Sequence, residues 1–290
     1  MGKSVELSSV DIDQSGSVKT PWPVEGWGHR TYLMGILNVT PDSFSDGGRY
    51  AGVEAALNRA VAMEADGADF LDVGAESTRP GAEEVSAEEE WARLEPVLEG
   101  LRGKIGIPIS VDTYKPEVAA KALEAGAKIA NDIFGFQLDA RMAEVVALAG
   151  AGVVLMHNSR GAELEGDLIA EVLRYFEESL IVAAEAGIYP ERIILDPGIG
   201  FGKTVEQNLE LMRRFGELRE LGFPLLLGAS RKSVIGKTLD LPVEERLEGT
   251  LATTVAGVVG GADIVRVHDL GPNLKAARMA DAIYRHERIS

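Results

Sequence analysis

Around residue 196 the chain reads Asp196-Pro197-Gly198-Ile199-Gly200-Phe201-Gly202-Lys203-Thr204, directly after the apolar run Ile193-Ile194-Leu195. A glycine-rich turn ending in Lys-Thr is the outline of a phosphate cradle, with backbone N–H groups, an ammonium and a Mg2+-binding hydroxyl together. The spacing argues against that use. The first glycine of such a loop would have to stand at position 197, and Pro197 has a fixed φ and no N–H to donate. Asp196 and its glycines are better suited to another task. A carboxylate accepts two parallel N–H bonds from an amidine-like edge, and glycines let backbone pass close to a ligand.

Comparable polar groups close other short apolar runs: Asn38, Glu76-Ser77-Thr78-Arg79, Asp112, Asn131-Asp132, His157-Asn158, Ser230-Arg231-Lys232 and Arg266-Val267-His268. Any one of them is explained by a strand end meeting water. So many at once point to a ligand. Arg79, Lys232, Arg266 and His268 suit phosphate oxygens, the arginines through paired N–H groups. Asp112, Asn131 and Asp196 suit a flat, nitrogen-rich ring. Asn38 and the acids near it suit a hard cation that keeps most of its ligands as water and phosphate. His157 has no metal-binding neighbours in sequence and reads as a structural side chain bonded to a strand neighbour.

These residues must be positioned by the runs they close. The strand candidates are 32–37, 69–74, 107–112, 128–133, 152–157, 192–197, 224–229 and 263–268, near-continuously apolar as parallel strands covered by helices are. Helical segments alternate with them at 53–67, 86–103, 115–126, 139–149, 164–187, 205–221, 244–260 and 272–286. Ser86 is placed as an N-cap, and Pro116 stands in a first turn. Eight strand–helix units without a linker predict an α/β fold, a (β/α)8 TIM barrel over residues 31–290. A doubly wound open sheet is the competitor, but its glycine fingerprint is missing after the first strand. Residues 1–30 are expected to form a short N-terminal extension, a hairpin or cap over the barrel floor.

Composition removes other function classes. The chain has 290 residues and a formal net charge of −17, which disfavours nonspecific nucleic-acid or anionic-membrane partners. With no cysteine, disulfides and thiolate chemistry are excluded, and the four histidines lack zinc-motif spacing. No apolar run is long enough to span a bilayer, and the first residues lack a signal-peptide core, so a cytoplasmic protein is expected.

The stretches MGILNVTPDSFSDGG (34–48), DVGAESTRPGA (72–82), SVDTYKP (110–116), ANDI (130–133), LDPGIGFGKT (195–204), GASRKS (228–233) and RVHD (266–269) resemble, in order, the signatures of the dihydropteroate synthases. The resemblance implies a TIM barrel that condenses 6-hydroxymethyl-7,8-dihydropterin diphosphate with p-aminobenzoate in folate biosynthesis, with Mg2+ as cofactor. It also implies a homodimer and a target of sulfonamides. It implies Asn38 as the Mg2+ ligand, and Asp112, Asn131, Asp196 and Lys232 as pterin contacts. Arg266 and His268 would bind the diphosphate. Thr78, Arg79, Pro80, Phe201 and Ser233 would shape the p-aminobenzoate pocket, with loops 38–50 and 75–85 closing over it. Arg266, His268, Asp112 and Lys232 would carry the catalysis. The fifth loop departs from the pattern, because MHNSRGAEL (156–164) lacks the proline that the family often has there. A pterin-binding methyltetrahydrofolate:corrinoid methyltransferase is the nearest rival, and a pterin-binding but inactive paralogue a second. Against the first stand ESTRPGA, SRKS and RVH, the apparatus for diphosphate and aminobenzoate; against the second, no catalytic position is lost.

Overall fold

The computed structural model describes residues 22, 26–40, 48–77, 84–159 and 166–285. The apolar runs become eight parallel strands: β1 (Tyr32–Asn38), β2 (Phe70–Gly74), β3 (Ile109–Asp112), β4 (Ile129–Asp132), β5 (Gly152–Met156), β6 (Ile193–Asp196), β7 (Leu226–Leu227) and β8 (Ile264–Val267). They pair in the order β6-β5-β4-β3-β2-β1-β8-β7, and a parallel bridge between Leu195 and Leu225 joins the two ends. The sheet thus closes into the expected barrel, which leaves no open edge.

The helices among the described residues are α1 (Gly48–Ala65), α2 (Ala87–Leu101), α3 (Pro116–Glu124), α4 (Arg141–Ala149), α5 (Leu168–Glu185), α6 (Val205–Arg213), α7 (Ser233–Leu239), α8 (Leu247–Val259) and α9 (Leu270–Tyr284). Local chemistry accounts for several boundaries. Ser86 Oγ accepts the Glu89 N–H at 3.2 Å, and Pro116 opens α3 where a missing N–H costs nothing. Two expectations need correction. The helix expected over 205–221 stops at Arg213 and continues as a 3-10 segment from Phe215 to Leu221. After β7 there are two helices rather than one, because α7 spans only seven residues, too short for a helical period to register in sequence.

Apolar packing has two compartments. Inside the barrel lie Tyr32, Met34, Phe70, Ile129, Val154, Ile194, Leu226 and Ile264; the larger cluster fills the space between strands and helices. Trp22 closes the inner compartment at the N-terminal ends of the strands. Its ring meets Phe70 edge-on at 5.8 Å and its indole N–H donates to the Glu191 carbonyl at 3.0 Å. The rest of the expected extension, apart from residues 26–30, lies outside the described residues.

Register then sets the polar residues at one level. Gly74 pairs with Asp112, Asp112 with Asn131, and Met156 with Asp196. Parallel strands in register deliver their carboxyl ends to the same rim, which is where barrel sites form.

Candidate active site

At that rim, charges that are distant in sequence meet inside the barrel. Arg266 Nη1 donates to Asp72 Oδ2 at 3.1 Å, and its Nη2 reaches Asp196 Oδ2 at 3.4 Å. Asn131 Nδ2 donates to the same Asp72 oxygen at 3.0 Å. All four residues are buried. Burial alone would weaken the Arg266 charge, but Asp72, Asp196 and Asp112 outweigh it and hold the guanidinium protonated. Gly228 makes room: a Cβ there would stand 3.2 Å from Arg266 Nη2.

The carboxylates are not all satisfied. Among the described residues, Oδ1 of Asp72, of Asp112 and of Asn131 are buried with no hydrogen-bond partner. Buried acceptors without donors are rare in native proteins and point to a missing partner. Asp112 is pushed up to about 7, first by burial and then by Asp72, with Arg266 opposing. Lys232, above the Phe201 ring at 4.5 Å and bonded to the Ile199 carbonyl, is pulled down by burial to about 7, although Asp196 opposes. Ile133, Met156 and Phe201, flanked by Tyr114 and Phe134, form a separate apolar cluster beside these groups. The set is a pocket of acceptors, one ammonium and an apolar wall.

The 196–204 loop serves this pocket. Asp196 Oδ1 accepts the Gly198 N–H at 2.8 Å, and Gly198 has φ +69° with a hypothetical Cβ 2.0 Å from the His157 carbonyl. Only glycine fits there. Lys203 Nζ donates back to the Gly198 carbonyl at 3.0 Å, and Thr204 forms a capping box with Gln207 at the start of α6. Both residues are thus engaged in the fold rather than offered to a nucleotide. His157 is also structural. It is buried, packs on Tyr175 at 4.7 Å and is pulled down to about 2, chiefly by burial.

A second compartment of about 300 Å³ opens between the end of β1, α1 and His268, lined in part by Ile36, Asn38, Arg59, Met63 and His268. Asn38 is exposed there. Among the described residues no group of three or more His, Cys, Asp or Glu can hold a metal. One neutral amide oxygen in a cavity shared with Arg59 and His268 would fit a Mg2+ ion carried mainly by phosphate and water. Arg59 Nη2 donates to the His268 carbonyl at 2.9 Å. Ser230 and Arg231 tie the β7 end to the β8 end. Ser230 Oγ lies 2.9 Å from His268 Nδ1, and Arg231 forms a bidentate pair with Asp269 at 2.7 and 2.9 Å.

Of the residues singled out from sequence, Asp112, Asn131, Asp196, Phe201, Lys232 and Arg266 come together, with His268 and Asn38 in the adjoining cavity. Ser233 is the exposed first residue of α7. Thr78, Arg79 and Pro80, loop 41–47 and most of the fifth loop lie outside the described residues. Sequence reasoning passed over Asp72, Arg59 and Met156. The signal for Asp72 was present, a lone acid inside the apolar run Phe70-Leu71-Asp72-Val73.

Residues 34–268 match the family model described as pterin binding enzyme. The chain is 52% identical over 259 residues to the dihydropteroate synthase of Clostridium beijerinckii, covering 89% of this chain and 96% of that one. It superposes with a TM-score of 0.88 on a Clostridium difficile dihydropteroate synthase crystallised with pteroic acid, at 51% identity over 90% of this chain and 100% of that one. A Xanthomonas albilineans dihydropteroate synthase with 4-aminobenzoic acid gives a TM-score of 0.84 at 42% identity, over 88% of this chain and 93% of that one.

Proposed function

The chain belongs to the pterin-binding enzyme family and carries out the dihydropteroate synthase reaction, and from that premise we propose how its own residues perform it. The reaction joins 6-hydroxymethyl-7,8-dihydropterin diphosphate to p-aminobenzoate and yields 7,8-dihydropteroate and pyrophosphate. The reading rests chiefly on the three unpartnered acceptors of Asp72, Asp112 and Asn131. A pterin edge carries ring N–H and amino donors, and a buried acceptor gains most from a donor that arrives without water. Asp196 adds the lone pairs that Gly198 and Arg266 leave over. Lys232 donates to ring acceptors, while Ile133, Met156 and Phe201 cover the ring face. Arg266, between Asp72 and Asp196, offsets the charge of the acceptor set beneath the ring, in addition to the diphosphate role that the resemblance implies. Thr78, Arg79, Pro80, Phe201 and Ser233 shape the p-aminobenzoate pocket.

The diphosphate lies in the cavity with His268, Arg59 and Asn38. The bond between the pterin methylene and the diphosphate oxygen breaks heterolytically, and its electron pair leaves with the diphosphate. Donors fixed in advance at the departing oxygens lower the barrier where charge develops. Mg2+, met by Asn38, supplies further neutralisation of the diphosphate when bound. The positive charge left behind spreads into the pterin ring, where Asp112 and Asp72 offset it. The aniline nitrogen of p-aminobenzoate then forms the C–N bond and gives its proton to solvent water. Positioning rather than a strong base is what this second step needs.

Pyrophosphate release that requires both substrates and Mg2+ is the test. A folded chain that binds pterin diphosphate yet releases no pyrophosphate with p-aminobenzoate present would sink the reading. We propose further that the chain works as a homodimer in the cytoplasm, with residues 1–30 as an N-terminal extension to the barrel. Val255 and Val259 on α8 and Met279, Ile283 and Tyr284 on α9 are exposed apolar side chains on helices that pack together, a surface suited to a second copy. Among the described residues no helix is long and apolar enough to cross a membrane.

A further inference from the structure

Where β2 runs out, the chain is held from two directions. Arg93 on α2 donates to the Ala75 carbonyl at 2.9 Å. The Glu76 side chain then gathers groups from separate segments. Its Oε1 accepts the Tyr114 hydroxyl at 3.0 Å and the Val85 N–H at 3.4 Å, and its Oε2 accepts the Lys115 ammonium. Lys115 also donates to Oε2 of Glu90, on α2, at 2.6 Å. Burial alone would weaken the charge on Lys115, but its hydrogen bonds to Glu76 and Glu90 outweigh that and hold it protonated. Glu90 is fully buried, and Glu76 and Lys115 are largely so. Hydrogen bonds to charged groups are about twice as strong as neutral ones, and here little water competes for them.

Two of these contacts bear on the pocket. Glu76 and Val85 stand on either side of residues 78–83, so one carboxylate oxygen ties the chain at both ends of that stretch. Tyr114 packs on the apolar cluster of Ile133, Met156 and Phe201 and meets Phe134 edge-on at 5.5 Å. Its hydroxyl bond to the same oxygen fixes where that ring stands. We propose that Glu76, braced by Lys115, is a positioning residue for the p-aminobenzoate half of the site. It sets the separation of the two chain ends and the placing of the Tyr114 ring in the cluster that contains Phe201. Glu76 makes no hydrogen bond to Asp112, Asn131, Asp196, Lys232 or Arg266, so the pterin half is held independently. The inference rests on the reading of Thr78, Arg79, Pro80 and Phe201 as p-aminobenzoate contacts.

Steady-state kinetics and calorimetry test the brace. Glu76→Ala is the informative change, because Glu90 still neutralises Lys115 when Glu76 is gone. KM for p-aminobenzoate at saturating pterin diphosphate should rise about tenfold, with kcat and the Kd for pterin diphosphate kept. Tyr114→Phe removes the hydroxyl and leaves the ring and the charges, so the same KM should rise about threefold. An unchanged KM in folded Glu76→Ala overturns the proposal, and so does an equal loss of pterin diphosphate affinity, which would mean that Glu76 serves the fold alone. Should Glu76→Ala not fold, Tyr114→Phe decides in its place, and an unchanged KM there overturns the proposal. Arg79→Ala separates the brace from the pocket reading. A raised KM in Arg79→Ala with none in Glu76→Ala sinks the brace and keeps the pocket. The reverse pattern removes Arg79 from the pocket and leaves the brace standing through Tyr114.

Discussion

Asp72 Oδ2 receives Arg266 Nη1 at 3.1 Å across the barrel interior, and the two residues are 194 positions apart in the chain. Asp72→Asn keeps the shape but replaces a charge that Arg266 needs. Removing one partner of a buried pair costs about 3–5 kcal/mol. With Asp196 still in place, a loss nearer 2 kcal/mol is expected in urea unfolding. Pterin affinity should fall alongside. A variant within 0.5 kcal/mol of the parent, by roughly the scatter of surface substitutions, would mean that the pair contributes little.

Asp196→Asn should weaken pterin binding and folding together. The carboxylate is fully buried, at 0% exposure, with Oδ1 on the Gly198 N–H and Oδ2 on Arg266. An amide turns one acceptor into a donor facing a donor, so stability should fall by about 1–3 kcal/mol as well. Lys203→Ala removes contacts to the Gly198 and Phe201 carbonyls, each of which keeps another donor, and should cost about 1 kcal/mol, with no ATP binding lost because none is expected. Unfolding curves of both variants, with pterin and ATP titrations, separate these outcomes.

Asp112 gives a pH dependence with a definite sign. Its folded pKa of about 7 lies above the ordinary 3.8, so the native state binds more protons than the unfolded chain between those values. Stability of the ligand-free protein should therefore fall, from this group, as pH rises from about 4 to 7. Lys232 acts in a separate window. Its pKa is lowered from 10.5 to about 7, so its penalty is present below 7 and relieved as pH rises above it. Asp112→Asn should stabilise the ligand-free chain at pH 8 by on the order of 1 kcal/mol while weakening pterin binding. Pterin affinity of the parent should rise through neutrality, and the variant should lose that rise. A pH-independent affinity in the parent would contradict the acceptor role.

Arg231 has φ +55°, a left-handed backbone unusual for a side chain, and its guanidinium is clamped to Asp269. Backbone and clamp can be separated. Arg231→Gly loses the clamp but suits the conformation, whereas Arg231→Ala loses the clamp and keeps the strain. The alanine variant should be less stable by about 1 kcal/mol. Both should reduce kcat/KM, because Lys232 and His268 flank the clamp. If thermal unfolding ranks the two equally, backbone strain at Arg231 is negligible.

Much of the architecture was legible along the chain because it depends on local rules. Apolar runs alternating with amphipathic segments demand parallel strands covered by helices, and Ser86, Pro116 and Pro197 each act through backbone chemistry within a few residues. The long motifs at strand ends likewise located the acceptor and cation types. Other features depended on approach through space. Asp72 lies in an apolar run whose partners, Asn131 and Arg266, are 59 and 194 residues away. The burial of Asp196 follows from barrel closure, and the Ser230–His268 bond spans 38 residues between neighbouring strand ends. Residue type and order determined the barrel and the chemistry at its rim. Which charges pair and which acceptors stay open were decided only when closure removed water and brought distant side chains within hydrogen-bond reach.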